Sequence, residues 1–133
     1  MKFLYALGIF SYGVAIRIAS LFSTKAKLWL RGRRDLFKNL QREISKGNGP
    51  VIWFHCASLG EFEQGRPLIE KIKAQKPDHR ILLTFFSPSG YEVRKNYNGA
   101  DIVTYIPLDT KSNAKRFVEI TNPVAVIFVK YEF

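Results

Sequence analysis

Four short apolar runs, each leading into a polar turn and then a helically spaced segment, constrain this chain more than any other feature. They are residues 51–57 (Val-Ile-Trp-Phe-His-Cys-Ala), 80–86, 101–106 and 124–129. Near-continuous apolar runs of this length suit strands covered on both faces. Between them, 61–76 carries Phe62, Leu68, Ile69 and Ile72 at helical spacing, 88–97 forms a short helix opened by Ser87, and 112–121 sets Ala114, Phe117 and Val118 inward. Pro67 either kinks the first of these helices or marks its true first turn. The order β-α-β-α-β-α-β predicts an α/β fold with a Rossmann-like parallel sheet, because parallel strands need crossover connections and helices supply them.

In an open α/β sheet, ligands bind outside the carboxyl ends of the strands. Three turns leave that edge: Ser58-Leu-Gly-Glu61, Ser87-Pro-Ser-Gly90 and Pro107-Leu-Asp109, and a fourth strand delivers Glu132 to it. Backbone N–H groups and hydroxyls at such turns hold phosphates or sugar hydroxyls, so Ser58, Gly60, Ser87, Ser89 and Gly90 are the candidate binding residues. Arg66 and Arg94 are cations that could face the same edge, with plain solvent exposure as the ordinary alternative. Glu61 is the candidate catalytic base; its ordinary alternative is a first-turn acid favoured by the helix dipole. A helix N-terminus favours its ionised form, whereas burial by a ligand would raise its basicity. His55, inside an apolar strand, suits a hydrogen-bonded core residue, and His55 and His79 offer no metal-ligand spacing. Ser58-Leu-Gly-Glu61 lacks the glycines and lysine of a nucleotide-binding loop, and no dinucleotide fingerprint occurs, so no cofactor is expected.

Residues 1–49 differ in kind from residues 50–133. Up to Gly47 there are ten Lys/Arg against Asp35 and Glu43, which accounts for eight of the ten net positive charges. Residues 3–22 are mostly apolar, about long enough at ~1.5 Å per residue to cross a bilayer core. Arg17, Ser20, Thr24, Lys27, Arg31 and Arg34 recur at intervals of three and four, with Val14, Ile18, Leu21, Phe22, Leu28 and Trp29 on the other side. That pattern predicts an anchor that enters the membrane with its first residues and flattens along the surface from about Arg17, with Trp29 at headgroup level. The dense positive charge keeps the following chain on the cytoplasmic side and argues against an exported signal peptide. An amphipathic helix packed on the domain is the ordinary alternative. A further short helix is expected over 35–45, and Lys46-Gly-Asn-Gly-Pro50 marks a boundary. The basic charge lies on an apolar arm and the aromatics lie in strands, so a membrane surface is the expected partner rather than nucleic acid. Cys56 is the only cysteine, so the chain has no internal disulfide.

Taken together, several pieces resemble one family. They are the apolar-basic N-terminal arm, His55-Cys-Ala-Ser-Leu-Gly-Glu-Phe62, Arg66-Pro-Leu68, Thr84-Phe-Phe-Ser-Pro-Ser-Gly90, Ile106-Pro-Leu-Asp109 and Val129-Lys-Tyr-Glu-Phe133. In order and spacing they resemble the transferases of 3-deoxy-D-manno-octulosonic acid (Kdo), which glycosylate the precursor of lipid A. The resemblance implies a GT-B fold: an N-terminal lobe for the acceptor and a C-terminal lobe for CMP-Kdo, with a cleft between. This chain then corresponds to the anchor (1–49) and the acceptor lobe (50–133), truncated before the donor lobe. The resemblance also implies that Glu61 is the general base, Glu132 a second important carboxylate, and the reaction metal-independent. Many members carry another acid two positions before Glu132, where this chain has Lys130. The implied partners are an anionic glycolipid acceptor, the cytoplasmic face of the inner membrane and a donor lobe. Two other functions fit the same residues: another GT-B glycosyltransferase acting on a lipid-linked sugar, and a non-catalytic glycolipid-binding fragment in which Glu61 is a helix cap.

Overall fold

A computed structural model describes residues 1–130 of the chain. Three helices, α1 (Lys2–Ala19), α2 (Thr24–Arg33) and α3 (Leu36–Ser45), precede the sheet. Then come β1 (Val51–Cys56), α4 (Leu59–Gln75), β2 (Arg80–Phe85), α5 (Pro88–Arg94), β3 (Ile102–Tyr105), α6 (Lys111–Thr121) and β4 (Ala125–Val129). All strand pairs are parallel, in the order β3-β2-β1-β4. This is the Rossmann-like α/β sheet that the alternating apolar runs predict.

Alternation along β1 divides the core. Val51 and Trp53 point to a cluster with Leu36, Leu40, Leu82, Ile102, Tyr105 and Phe117, beneath α3 and α6. Ile52, Phe54 and Cys56 point the other way, to Phe62, Ile69, Ile81, Leu83 and Phe85, beneath α4 and α5. Both faces of β1 are therefore covered, which is why its sequence is apolar at nearly every position.

The order of connections fixes where the sheet opens. The crossovers from β1 to β2 and β2 to β3 run across one face in one direction. The crossover from β3 to β4 passes over the opposite face and returns to the far side of β1. The chain thus reverses direction between β1 and β4, and that reversal leaves a crevice at their carboxyl ends.

α4 begins at Leu59 and keeps Pro67 in its interior. Of the two placements the sequence allows, the helix therefore includes 61–66, and Pro67 leaves the Glu63 carbonyl without its usual helical donor.

The N-terminal helices correct one expectation. The surface-lying helix predicted to run on past Arg17 is broken: α1 ends at Ala19, and Ser23 starts α2 by accepting a hydrogen bond from Ala26 N at 3.4 Å. Trp29 does not lie at headgroup level; it is 7% exposed and packs on Tyr12 and Phe86. The break redirects the indole inward, where its large apolar area is removed from water. α1 itself stays open to its surroundings. Phe3, Leu4, Phe10 and Ile18 are exposed, Gly13 is its one buried residue, and the helix is long and apolar enough to cross a membrane.

Candidate active site

The turn after β1 is built by its own side chains. Ser58, in extended backbone, caps α4: its Oγ accepts from Glu61 N at 3.4 Å, and Glu61 Oε2 accepts from Ser58 N at 3.1 Å. This reciprocal capping box satisfies two donors that the first helical turn leaves over, and it fixes the Glu61 carboxylate in the first turn past the carboxyl end of β1. Among the described residues, Glu61 Oε1 takes no hydrogen bond. Gly60, in the same turn, is exposed.

A second turn is pressed against the first. Ser87 N donates to Ala57 O at 2.9 Å, and a Cβ on Gly90 would lie 3.2 Å from Leu59 N and 2.5 Å from the Phe85 ring. Only glycine lets α5 start this close to the Ser58 turn. Ser87 Oγ accepts from Ser89 N at 3.3 Å and lies 2.7 Å from Ser89 Oγ. Ser58, Gly60, Glu61, Ser87, Ser89 and Gly90 are thus gathered at one end of the sheet. Arg66 lies about two helical turns further along α4 and is engaged there, 3.1 Å from Glu63 and 3.8 Å from Glu70. Arg94 also bonds Glu63. Glu132 lies outside the described residues.

Behind these turns stand groups whose roles the sequence does not announce. Arg33, from α2, donates Nε to Ile106 O at 2.9 Å, one terminal nitrogen to Phe86 O at 3.0 Å and the other to Trp29 O at 3.2 Å. Its guanidinium stacks 3.8 Å from the Trp29 ring centre and 4.8 Å from that of Tyr105. Phe86 and Ile106 immediately precede Ser87 and Pro107, so one planar cation clamps the roots of two carboxyl-edge turns. Burial lowers its pKa to about 10, still well above neutrality. The only sequence signal for this role is an Arg three to four residues from Trp29, which the basic stripe of Arg31 and Arg34 hides.

His55 points to the α6 side of the sheet. Its Nδ1 lies 2.9 Å from Thr84 Oγ1, which also accepts the Trp53 indole N–H at 2.8 Å. Burial pushes its pKa below the ordinary histidine value; the Glu61 charge opposes the shift and the Arg33 charge adds to it. The imidazole is therefore neutral near pH 7 and is the hydrogen-bonded residue that its place in the strand predicts. Cys56 is fully buried on the other face, with its thiol pushed up to about 12 by burial, so it holds no nucleophilic thiolate.

A carboxylate at the switch point, beside clustered hydroxyls and backbone N–H groups, can receive a proton from a polyhydroxylated ligand. Comparison with known proteins narrows the class. The chain is similar to 3-deoxy-D-manno-octulosonic acid transferases of Aquifex aeolicus (39% identity over 93 residues, 69% of this chain and 26% of the relative) and Chlamydia muridarum (35% over 85 residues, 62% and 20%). A third, from Haemophilus influenzae, is 30% identical over 82 residues, 61% of this chain and 19% of the relative. The chain thus spans about a fifth to a quarter of the length of these curated relatives. The family model for 3-deoxy-D-manno-octulosonic-acid transferase (kdotransferase) matches residues 30–133, from the end of α2 through the whole sheet, and the chain belongs to that family.

Proposed function

We propose that this chain is the acceptor-binding lobe of a GT-B glycosyltransferase that transfers Kdo from CMP-Kdo to lipid IVA, the lipid A precursor. One observation carries the proposal: the Ser58 capping box fixes Glu61 just past the carboxyl end of β1, and among the described residues its Oε1 takes no hydrogen bond. In the reaction an acceptor hydroxyl gives its proton to Glu61 Oε1. Its oxygen then bonds to the anomeric carbon of Kdo, and CMP departs with the electron pair of the broken bond. A carboxylate in reach of a weakly nucleophilic hydroxyl contributes on the order of 10²–10⁴ in rate. Ser58, Gly60, Ser87, Ser89 and Gly90 orient the acceptor, Arg66 supplies a cation further out, and Glu132 brings a second carboxylate from the other side of the crevice. CMP-Kdo binds a separate C-terminal donor lobe.

The arm supplies the address. α1 is apolar and exposed, and the basic residues of α1–α3 suit anionic lipid at the cytoplasmic face of the inner membrane, where an anionic glycolipid acceptor resides.

The geometry of the Ser58–Glu61 pair favours one other reading, in which Glu61 only caps α4 in a glycolipid-binding lobe. Replacing Glu61 by Gln in the protein assayed with its donor lobe separates the two. Loss of Kdo transfer to lipid IVA with acceptor binding retained supports the base; unchanged turnover supports the cap. Parallel assays with other lipid-linked sugars test the acceptor class.

A further inference from the structure

Between α6 and the carboxyl half of the sheet lies a cavity of about 450 Å³. Trp53, Phe117, Phe128, Ile106 and Leu108 shape it, and among the described residues His55 and Asp109 are the two ionisable groups in its lining. Among the described residues no Lys or Arg lines it, which disfavours a phosphate, and one aspartate and one imidazole do not match the many hydroxyls of a sugar ring. On the far side of Leu108 and Asp109 a groove of about 970 Å³ runs between the β3–α6 loop and Tyr5, Ile9 and Phe10 of α1. Both spaces share Leu108 and Asp109, so they flank the same loop. α1 reaches the body near Leu108 through Gly13, and Tyr5 bonds Asp109; most of the helix remains exposed and apolar. The groove is therefore walled by the very helix that would sit in the lipid.

The cavity also holds one directed polar group. Thr84 Oγ1 accepts from the Trp53 indole, which can only donate, so the hydroxyl has a single proton to give. His55 Nδ1 at 2.9 Å is a better recipient than Phe54 O at 3.4 Å. That assignment leaves the His55 proton on Nε2, making the imidazole a donor in a chamber whose one other ionisable group among the described residues, Asp109, already accepts from Tyr5. A ligand with a long apolar tail and one carbonyl acceptor at its root satisfies the lining.

We propose that the groove along α1 and the cavity beneath α6 together hold an acyl chain of the glycolipid acceptor. The chain rounds Leu108, and the ester or amide carbonyl joining it to the sugar accepts from His55 Nε2. This rests on the acceptor-lobe function proposed above. It adds a binding site for the lipid portion, on the α6 face of the sheet, to the headgroup site at the Ser58 turn.

The test uses lipid IVA bearing a diazirine at the end of one acyl chain, in phosphatidylethanolamine–phosphatidylglycerol vesicles, with the protein and its donor lobe. Irradiation should label segment 106–118, and unlabelled lipid IVA should suppress that labelling while added phospholipid should not. Ala114→Trp, which fills the cavity from the surface of α6, should remove the label. It should also raise KM for lipid IVA by about tenfold or more, equivalent to roughly two methylenes denied burial. KM for the deacylated disaccharide should stay unchanged. Labelling confined to the outer face of α1, equal competition by phospholipid, or an equal effect of Ala114→Trp on both acceptors would overturn the proposal, the last two pointing to bulk lipid and to a simple packing defect. Competable labelling without Kdo transfer would uphold the acyl site and sink the transferase function; normal transfer without labelling would do the reverse.

Discussion

Ser58 and Glu61 satisfy one another across the first turn of α4, each accepting a hydrogen bond from the other's backbone N–H. Glu61→Gln keeps an amide oxygen for Ser58 N while removing the basic carboxylate. Its stability should stay within about 0.5 kcal/mol of the parent, as for a surface change that preserves its contacts. With Glu61 as the base of the proposed function, Kdo transfer by the protein with its donor lobe should fall by about 10²–10⁴. Ser58→Ala should do the opposite in stability, costing about 1 kcal/mol of urea-unfolding free energy through loss of the cap. A Gln variant that loses stability but not turnover would reduce Glu61 to a structural acid.

Gly90 sits where the β2–α5 turn touches the β1–α4 turn, with Leu59 N and the Phe85 ring around it. A methyl group there has nowhere to go without separating the two turns. Gly90→Ala should cost about 1–3 kcal/mol, the usual range for overpacking, even though alanine favours the helix. The urea midpoint reports the loss. If these hydroxyls hold the acceptor as proposed, its KM should rise too, because Ser87 and Ser89 move relative to Ser58. A stabilised variant would mean that the turns are not in contact.

Arg33 joins α2 to the turns after β2 and β3 through Phe86 O and Ile106 O. Lysine carries the charge but not the planar fork, and it cannot reach both carbonyls while stacking on Trp29. Arg33→Lys should therefore destabilise by about 1.5–3 kcal/mol, the scale of charged hydrogen bonds lost at a half-buried site. Arg31→Lys, at an exposed position of the same helix, should change stability by less than about 0.5 kcal/mol. Equal effects would show that Arg33 is an ordinary member of the basic stripe.

The sheet and the Ser58 turn were legible because their signals are local. Unbroken apolar runs such as Val51–Cys56 encode two-sided burial, and Ser-x-x-Glu encodes a capping box within four residues. What stayed hidden depends on contacts distant in sequence. Arg33 meets its partners 53 and 73 residues away, so apart from its i+4 spacing from Trp29 nothing near it distinguishes it from Arg31 or Arg34. Trp29 failed as an interfacial residue for the same reason, because the Ser23 break and the Phe86 surface that receives it are invisible to a periodicity count. Arg66 is the opposite case: Glu63 and Glu70 stand three residues before and four residues after it on α4, so helical spacing itself pairs it with them.

His55 links the site to pH. Its folded-state pKa is lowered, first by burial and further by the Arg33 charge, against the opposing pull of Glu61. In the unfolded chain it returns to about 6.5. At pH 8 the imidazole is neutral in both states and contributes no pH dependence. As pH falls through about 6.5 the unfolded chain takes up a proton that the native state refuses, so the unfolded state gains and stability drops. The loss continues down to the lowered native pKa and then levels off. Urea midpoints measured at pH 8, 7, 6 and 5.5 should therefore decline over the last steps. His55→Gln, which still offers Thr84 a polar partner, should flatten that decline while lowering the pH 8 midpoint only modestly. If parent and variant decline in parallel, the acid sensitivity arises elsewhere and His55 is not held neutral by its surroundings.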